Sequence, residues 1–137
     1  MSKETRATLQ FGRDLLEQLN EHSSLGKPRR FKKNVPLYEQ GEISSRFYLI
    51  VSGLIQASIF RRDGSEVLLD MMGPGTICGE GAAFDGLPRF ATAVAVENSD
   101  TIEFDTSRMT DVFREHPEFA SALLRVTSLK QRGRGLQ

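Results

Sequence analysis

Between Thr76 and Thr92 the chain reads Thr-Ile-Cys-Gly-Glu-Gly-Ala-Ala-Phe-Asp-Gly-Leu-Pro-Arg-Phe-Ala-Thr, and these residue types at this spacing suit one kind of chemistry. Strand-like residues end at Cys78. Gly79-Glu80-Gly81-Ala82-Ala83 follows, small enough for backbone N–H groups to approach a ligand closely. A short helix beginning here would direct its free N–H groups and its positive dipole end toward an anion. Nine residues beyond Glu80 stands Arg89, whose planar fork matches two oxygens of one phosphate. Like charges repel, so Glu80 suits sugar hydroxyls as a hydrogen-bond acceptor rather than the phosphate. Anion cradle, arginine fork and hydroxyl acceptor together describe a sugar-phosphate site built from Gly79, Glu80, Gly81, Ala82, Ala83 and Arg89. Each member has a plainer alternative when taken alone: a surface arginine, a solvated turn acid, two turn glycines.

The elements that must position these residues come in two textures. Phe11, Leu15, Leu16 and Leu19 recur at helical spacing between charged residues, which predicts an amphipathic helix over 6–21, ended by Ser23-Ser24 and Gly26-Lys27-Pro28. From Phe31 to Phe104 short β-branched and aromatic runs take over. Gly41, Gly53, Gly64, Gly75 and Gly86 punctuate them at intervals of twelve, eleven, eleven and eleven residues. Such regular turn signals between strand-like runs mark an antiparallel sandwich or barrel. The clearest strands are 47–51 and 54–60, with 67–69 pairing back across Asp63-Gly64. Val94 and Val96 alternate with Ala93 and Ala95, and Ile102-Glu103-Phe104 alternates again. The fold class is therefore mainly β: an eight-stranded antiparallel β-roll of the jelly-roll class over 30–105, with an N-terminal helix and C-terminal helices over 106–132. Asp105 or Thr106 caps the first of those, which carries Met109, Val112 and Phe113. His116-Pro117 breaks it, and a last helix starts near Pro117. Phe119, Leu123, Val126 and Lys130 follow a three-four spacing on that helix, and Gly133 and Gly135 would fray its end.

Gly79-Glu80 followed by Pro88-Arg89 before Ala91-Thr92 resembles the phosphate-binding cassette of cyclic nucleotide-binding domains, whose pattern is Gly-Glu-Leu-Ala-Leu, a short loop, then Pro-Arg-Ala-Ala-Thr. The similarity extends to Asp63-Gly64-Ser65-Glu66 and Gly73-Pro74-Gly75 and covers the chain from about Phe31 to its end. The resemblance implies a cassette over 79–91, which adds Phe90 and Ala91 to the site residues, and a regulatory binding module for a cyclic nucleotide, with cyclic AMP (cAMP) the ligand chosen. It implies that the final helix covers the base, moves on ligation and pairs two subunits. The nearest flavour is the sensor part of bacterial transcriptional regulators of the catabolite activator protein type. Two positions depart from the pattern. Gly81 replaces the usual leucine, and Phe90 replaces the small or hydroxyl residue beside the phosphate. Phe90 is either a residue that fills an empty site or a wall of an altered pocket. By residue count Arg134 aligns with the position that meets the base, against the plainer reading of a tail arginine in Arg132-Gly-Arg-Gly.

Composition narrows the remaining options. The 137 residues fit a single domain over 1–137 with a real core. Lys+Arg and Asp+Glu number 18 each, so no whole-chain attraction to nucleic acid or membrane is expected. A single cysteine excludes an internal disulfide framework and a cysteine-ligated zinc site, and Cys78 itself suits a buried small hydrophobe. No apolar run is long enough to span a bilayer, which predicts a soluble, cytoplasmic protein without a membrane partner. His22 and His116 stand isolated near helix ends and make a poor metal site. The basic run Lys27, Arg29, Arg30, Lys32, Lys33 suits a solvated strand flank. Three functions compete: the cyclic nucleotide sensor, with no specific DNA binding by this chain alone and a weak homodimer through the last helix; an orphan β-roll with an altered or empty pocket, serving dimerisation or a partner; and a cupin-type enzyme. The last needs clustered His and Glu on adjacent strands, and no expected strand contains a histidine, so the chain is read as a non-enzyme.

Overall fold

The computed structural model describes Ser2, Lys3, Arg6, Gln10, residues 13–18 and residues 25–133. Among these residues eight strands are present: β1 (Lys27–Phe31), β2 (Pro36–Tyr38), β3 (Arg46–Ser52), β4 (Ile55–Phe60), β5 (Glu66–Met72), β6 (Ile77–Cys78), β7 (Thr92–Ala95) and β8 (Ser99–Asp105). They form two four-stranded antiparallel sheets in the orders β1-β8-β3-β6 and β2-β7-β4-β5, facing each other as a jelly roll. Helix α1 (Glu80–Asp85) interrupts the roll between β6 and β7. After β8 come a 3-10 turn (Thr106–Arg108), α2 (Met109–Glu115) and α3 (Pro117–Gly133).

The roll begins at Lys27, upstream of the boundary expected from texture. Lys27 and Pro28, expected to help end a helix, are instead paired with Glu103 and Ile102 in β1. Proline is tolerated there because β1 lies at a sheet edge. The glycines at 41, 53, 64, 75 and 86 all take positive φ, which explains their even spacing between strands. The Asp63-Gly64 hairpin forms as expected, with Val67 opposite Ile59 and Leu68 opposite Ser58.

Strand β3 organises the core. Alternate side chains of a strand point to opposite faces, and here both faces are apolar. Phe47 and Leu49 enter a cluster with Ile77, Phe104, Met109, Phe119, Leu123 and Val126, between the first sheet and the helices. Tyr48 and Ile50 enter the roll interior with Phe31, Ile55, Met72, Cys78, Ala93 and Ala95. Burial, with Glu103 nearby, pushes the Tyr48 phenol up to about 12, so the interior stays uncharged around it. In β7 the inward residues are Ala93 and Ala95, packed in that interior, while Val94 is half-buried.

The helices pack where the sequence pattern places them. Residues 13–18 are helical, with Leu15 fully buried and Leu16 against the same cluster; Phe11, Leu19 and His22 lie outside the described residues. Asp105, rather than Thr106, caps the turn after β8: its Oδ1 accepts the Ser107 N–H (2.9 Å), a contact that holds its carboxyl below the usual range. Thr106 instead donates its hydroxyl to the Ala83 carbonyl (2.9 Å), tying α1 to the start of the C-terminal helices. α2 ends at His116, and Pro117 opens α3 as expected.

One expectation for α3 is corrected. Phe119, Leu123 and Val126, assigned from sequence to a second subunit, are all buried against this chain's own roll. Burial of the fully enclosed sheet face outweighs a seam that would leave it open to water. Of the large apolar residues on α3, Leu124 is the exposed one. Phe104 stacks on Phe47 (centroids 5.0 Å) and touches Phe119 (5.6 Å), bridging sheet and helix. Phe104→Ala should therefore cost about 3–5 kcal/mol, the usual penalty for emptying a packed phenyl site, read as a lowered urea midpoint at unchanged slope.

Candidate functional site

Strand β6 delivers the chain to Gly79, which turns it into α1. Gly79 takes φ 80, and a Cβ there would stand 2.8 Å from Arg89 Nη1 and 3.0 Å from the Tyr38 ring. Glycine is thus required twice, by the turn and by the guanidinium behind it. Gly81 differs: a Cβ would meet nothing within 4 Å, so this glycine leaves open space rather than permitting a close contact.

Arg89 is 3% exposed. Its backbone is pinned to the turn after β2, donating to the Glu42 carbonyl (2.7 Å) and accepting from the Gly41 N–H (2.8 Å). Nη1 donates to the Gly79 carbonyl (2.6 Å) and Nη2 to the Arg46 carbonyl at the head of β3. The guanidinium lies 4.2 Å from the centre of the Tyr38 ring, a cation–π contact. Nε is buried and has no hydrogen-bond partner. No carboxylate pairs with Arg89 among the described residues. A buried cation answered only by carbonyl dipoles and a ring face keeps part of its charge uncompensated.

A cavity of about 110 Å³ opens beside it, lined by Gly79, Glu80, Gly81, Ala82, Arg89, Phe90 and Ala91 together with Tyr38, Ala57, Leu69 and Lys130. Seven of the eight residues named from sequence therefore meet there. Ala83 does not: its side chain belongs to the helix-side core and its N–H donates to the Gly79 carbonyl (3.2 Å). The first turn of α1 consumes that donor and leaves those of Glu80, Gly81 and Ala82 without an intrahelical acceptor. Phe90 lines the cavity yet is 75% exposed, so its ring stands at the lip and does not fill the site.

Four lining residues were not anticipated, Tyr38, Ala57, Leu69 and Lys130, and the first and last of these bring polar groups. Tyr38 lies on the three-residue strand β2, too short for its alternation to announce a role. Lys130 reaches from α3 to Glu80, with Nζ 2.7 Å from Oε1 and 3.1 Å from Oε2. The pair is enclosed, with side-chain exposures of 6% for Lys130 and 15% for Glu80. A signal for it was present: Lys130 continues the apolar spacing of Phe119, Leu123 and Val126, so it sits on the face that α3 turns inward. Arg134 lies outside the described residues. Cys78 is buried in the roll interior, and among the described residues no group of three or more His, Cys, Asp or Glu could hold a metal ion. No helix among them is long and apolar enough to cross a membrane.

A jelly roll that buries an arginine behind a glycine-flanked glutamate, under a C-terminal helix, defines a class of small-molecule binding modules. The family model described as cyclic nucleotide-binding domain matches residues 28–116, and the chain belongs to that family. The CRP-like cAMP-activated global transcriptional regulator of Mycobacterium tuberculosis is 30% identical over 106 residues, covering 77% of this chain and 47% of that protein. Acetyltransferase Pat of Mycolicibacterium smegmatis is 39% identical over 71 residues, covering 52% of this chain and 21% of that protein. The crystal structure of the Thermus thermophilus catabolite activator protein matches with a TM-score of 0.73 at 26% identity, over 85% of this chain and 55% of that chain. The chain thus spans about half, or less, of the length of these relatives.

The double demand on Gly79 yields a test. Gly79→Ala places a Cβ against Arg89 and Tyr38 at a backbone angle that L-residues rarely adopt, and should destabilise the fold by about 1–3 kcal/mol. Chemical denaturation checks the size, and a control Gly81→Ala should leave stability within about 0.5 kcal/mol.

Proposed function

We propose that this chain is a regulatory sensor domain that binds a cyclic nucleotide, cyclic AMP by preference, and passes the event to its C-terminal helix. One observation carries the reading. Arg89 is a buried cation with an unpartnered Nε, beside a cavity, and no carboxylate answers its charge among the described residues. A phosphate supplies that missing charge. In this arrangement the phosphate meets Arg89 and the N–H groups of Gly81 and Ala82, while Glu80 accepts the ribose 2′-hydroxyl. The N–H of Ala83, already spent within α1, takes no part.

The whole chain, 1–137, acts as one module in the cytoplasm, without catalysing a reaction and without specific DNA binding of its own. Similarity to a regulator named as cAMP-activated supports both the ligand and a place in transcriptional control. The exposure of the Phe90 ring weighs against an orphan roll whose pocket that ring fills.

Calorimetry with cyclic AMP tests the reading through three variants. Arg89→Ala should weaken binding by at least ~2 kcal/mol, since hydrogen bonds to charged groups contribute about 1.5–3 kcal/mol each; that is roughly thirty-fold or more in Kd. Glu80→Gln should cost less, because an amide oxygen still accepts the hydroxyl. Phe90→Ala should weaken binding, as loss of a wall does; tighter binding would assign the ring to obstruction. Unchanged affinity in Arg89→Ala would sink the reading.

Self-association follows from what α3 has left to offer. With its apolar stripe committed to the core, Leu124 remains as the large exposed apolar residue on that helix. We expect a weak homodimer that appears only as protein concentration rises. Sedimentation velocity across a concentration series checks this, and a tight dimer at low concentration would contradict it.

A further inference from the structure

The cavity beside Arg89 measures about 110 Å³. A second, of about 150 Å³, lies between β5 and α3 and is lined by Asp70, Met71, Met72, Thr76, Val126 and Leu129. Both fall below the roughly 300–1,000 Å³ that small-molecule sites usually occupy. Lys130 lines both cavities, so its side chain is part of the partition between them.

That partition is held in place. The Lys130 ammonium bonds both oxygens of Glu80, and the pair is almost entirely enclosed. A buried pair is hard to break by removing one partner, because the other charge is left uncompensated. The same carboxylate is the hydroxyl acceptor of the ligand arrangement proposed above. Lys130 and a ligand hydroxyl therefore contend for Glu80.

We propose that Lys130 is the gate of the site: it closes the ligand-free protein by occupying Glu80, and a ligand hydroxyl that takes Glu80 draws the ammonium off and frees the last turns of α3 from α1. This rests on the cyclic nucleotide reading. Opening the gate joins the two cavities into a larger space than either offers alone. Capture of Glu80 by the ligand hydroxyl and release of the helix are then one event, and each must favour the other to the same degree.

Lys130→Met keeps the aliphatic stem and removes the charge. Binding of cyclic AMP and of its 2′-deoxy analogue is measured by calorimetry on the full chain, wild type against variant. The ratio of the two affinities cancels the general loss of a positive charge near the phosphate. The gate predicts that cyclic AMP gains over the 2′-deoxy ligand by about five-fold or more, the lower end of ordinary coupling free energies. A ratio that is unchanged or reduced, with binding intact, overturns the gate and leaves the ligand reading standing. Absence of binding in both wild type and Lys130→Met overturns both. Ligand-free hydrogen exchange gives a second measurement. Lys130→Met and Glu80→Gln should each speed amide exchange in the last turns of α3, and the double variant should add little to either. Exchange that stays at the wild-type rate in both single variants removes the latch on which the gate depends.

Discussion

A guanidinium taken out of water must have its charge answered, and the way Arg89 is answered sets the geometry around it. The carbonyls of Gly79 and Arg46 and the face of Tyr38 come from three different elements: the entry to α1, the head of β3, and β2. The arginine backbone adds a fourth segment, the turn at Gly41–Glu42. Four parts of the chain are thus fixed relative to one another by one side chain. Carbonyl dipoles and a ring quadrupole compensate only part of a full positive charge. Among the described residues no carboxylate pairs with Arg89 to answer the remainder.

The apolar architecture carries that site between two cores. β3 contributes to both, because its alternate residues serve the roll interior and the helix-side cluster. A chain of rings runs through the second cluster, from Phe84 on α1 to Phe47, Phe104, Phe119 and Phe113. The Thr106 hydroxyl bound to the Ala83 carbonyl runs alongside it. Close-packed interiors transmit displacement instead of absorbing it. A shift of α1 therefore has a physical route to α3 in addition to the contact at Lys130.

The roll was legible because its signals are local. Glycines with positive φ recur between strands, and side-chain alternation identifies which stretches lie flat in a sheet. The meeting of Gly79, Glu80 and Arg89 at one cavity was legible because they stand close in sequence. What sequence missed depends on distance. Tyr38 and Lys130 reach the site from 51 residues before Arg89 and 41 after it, and no local pattern encodes such meetings. The stripe on α3 was recognised but sent to the wrong partner, since an amphipathic helix shows which face is apolar and not what covers it. The Ala83 N–H was counted among free donors because the exact start of α1 was not readable from composition.

The two tyrosines of the chain have unequal surroundings. Tyr48 is packed edge-on against Phe31 inside the roll, while the ring of Tyr38 lies under the Arg89 guanidinium at the cavity wall. The sequence contains no tryptophan. Excited in the tyrosine band, beyond the absorption of its phenylalanines, the chain therefore emits from these two rings, and one of them touches the guanidinium beside the cavity. The molecule carries its own optical gauge: any change in what faces Arg89 alters the field across Tyr38, without a dye or an introduced label.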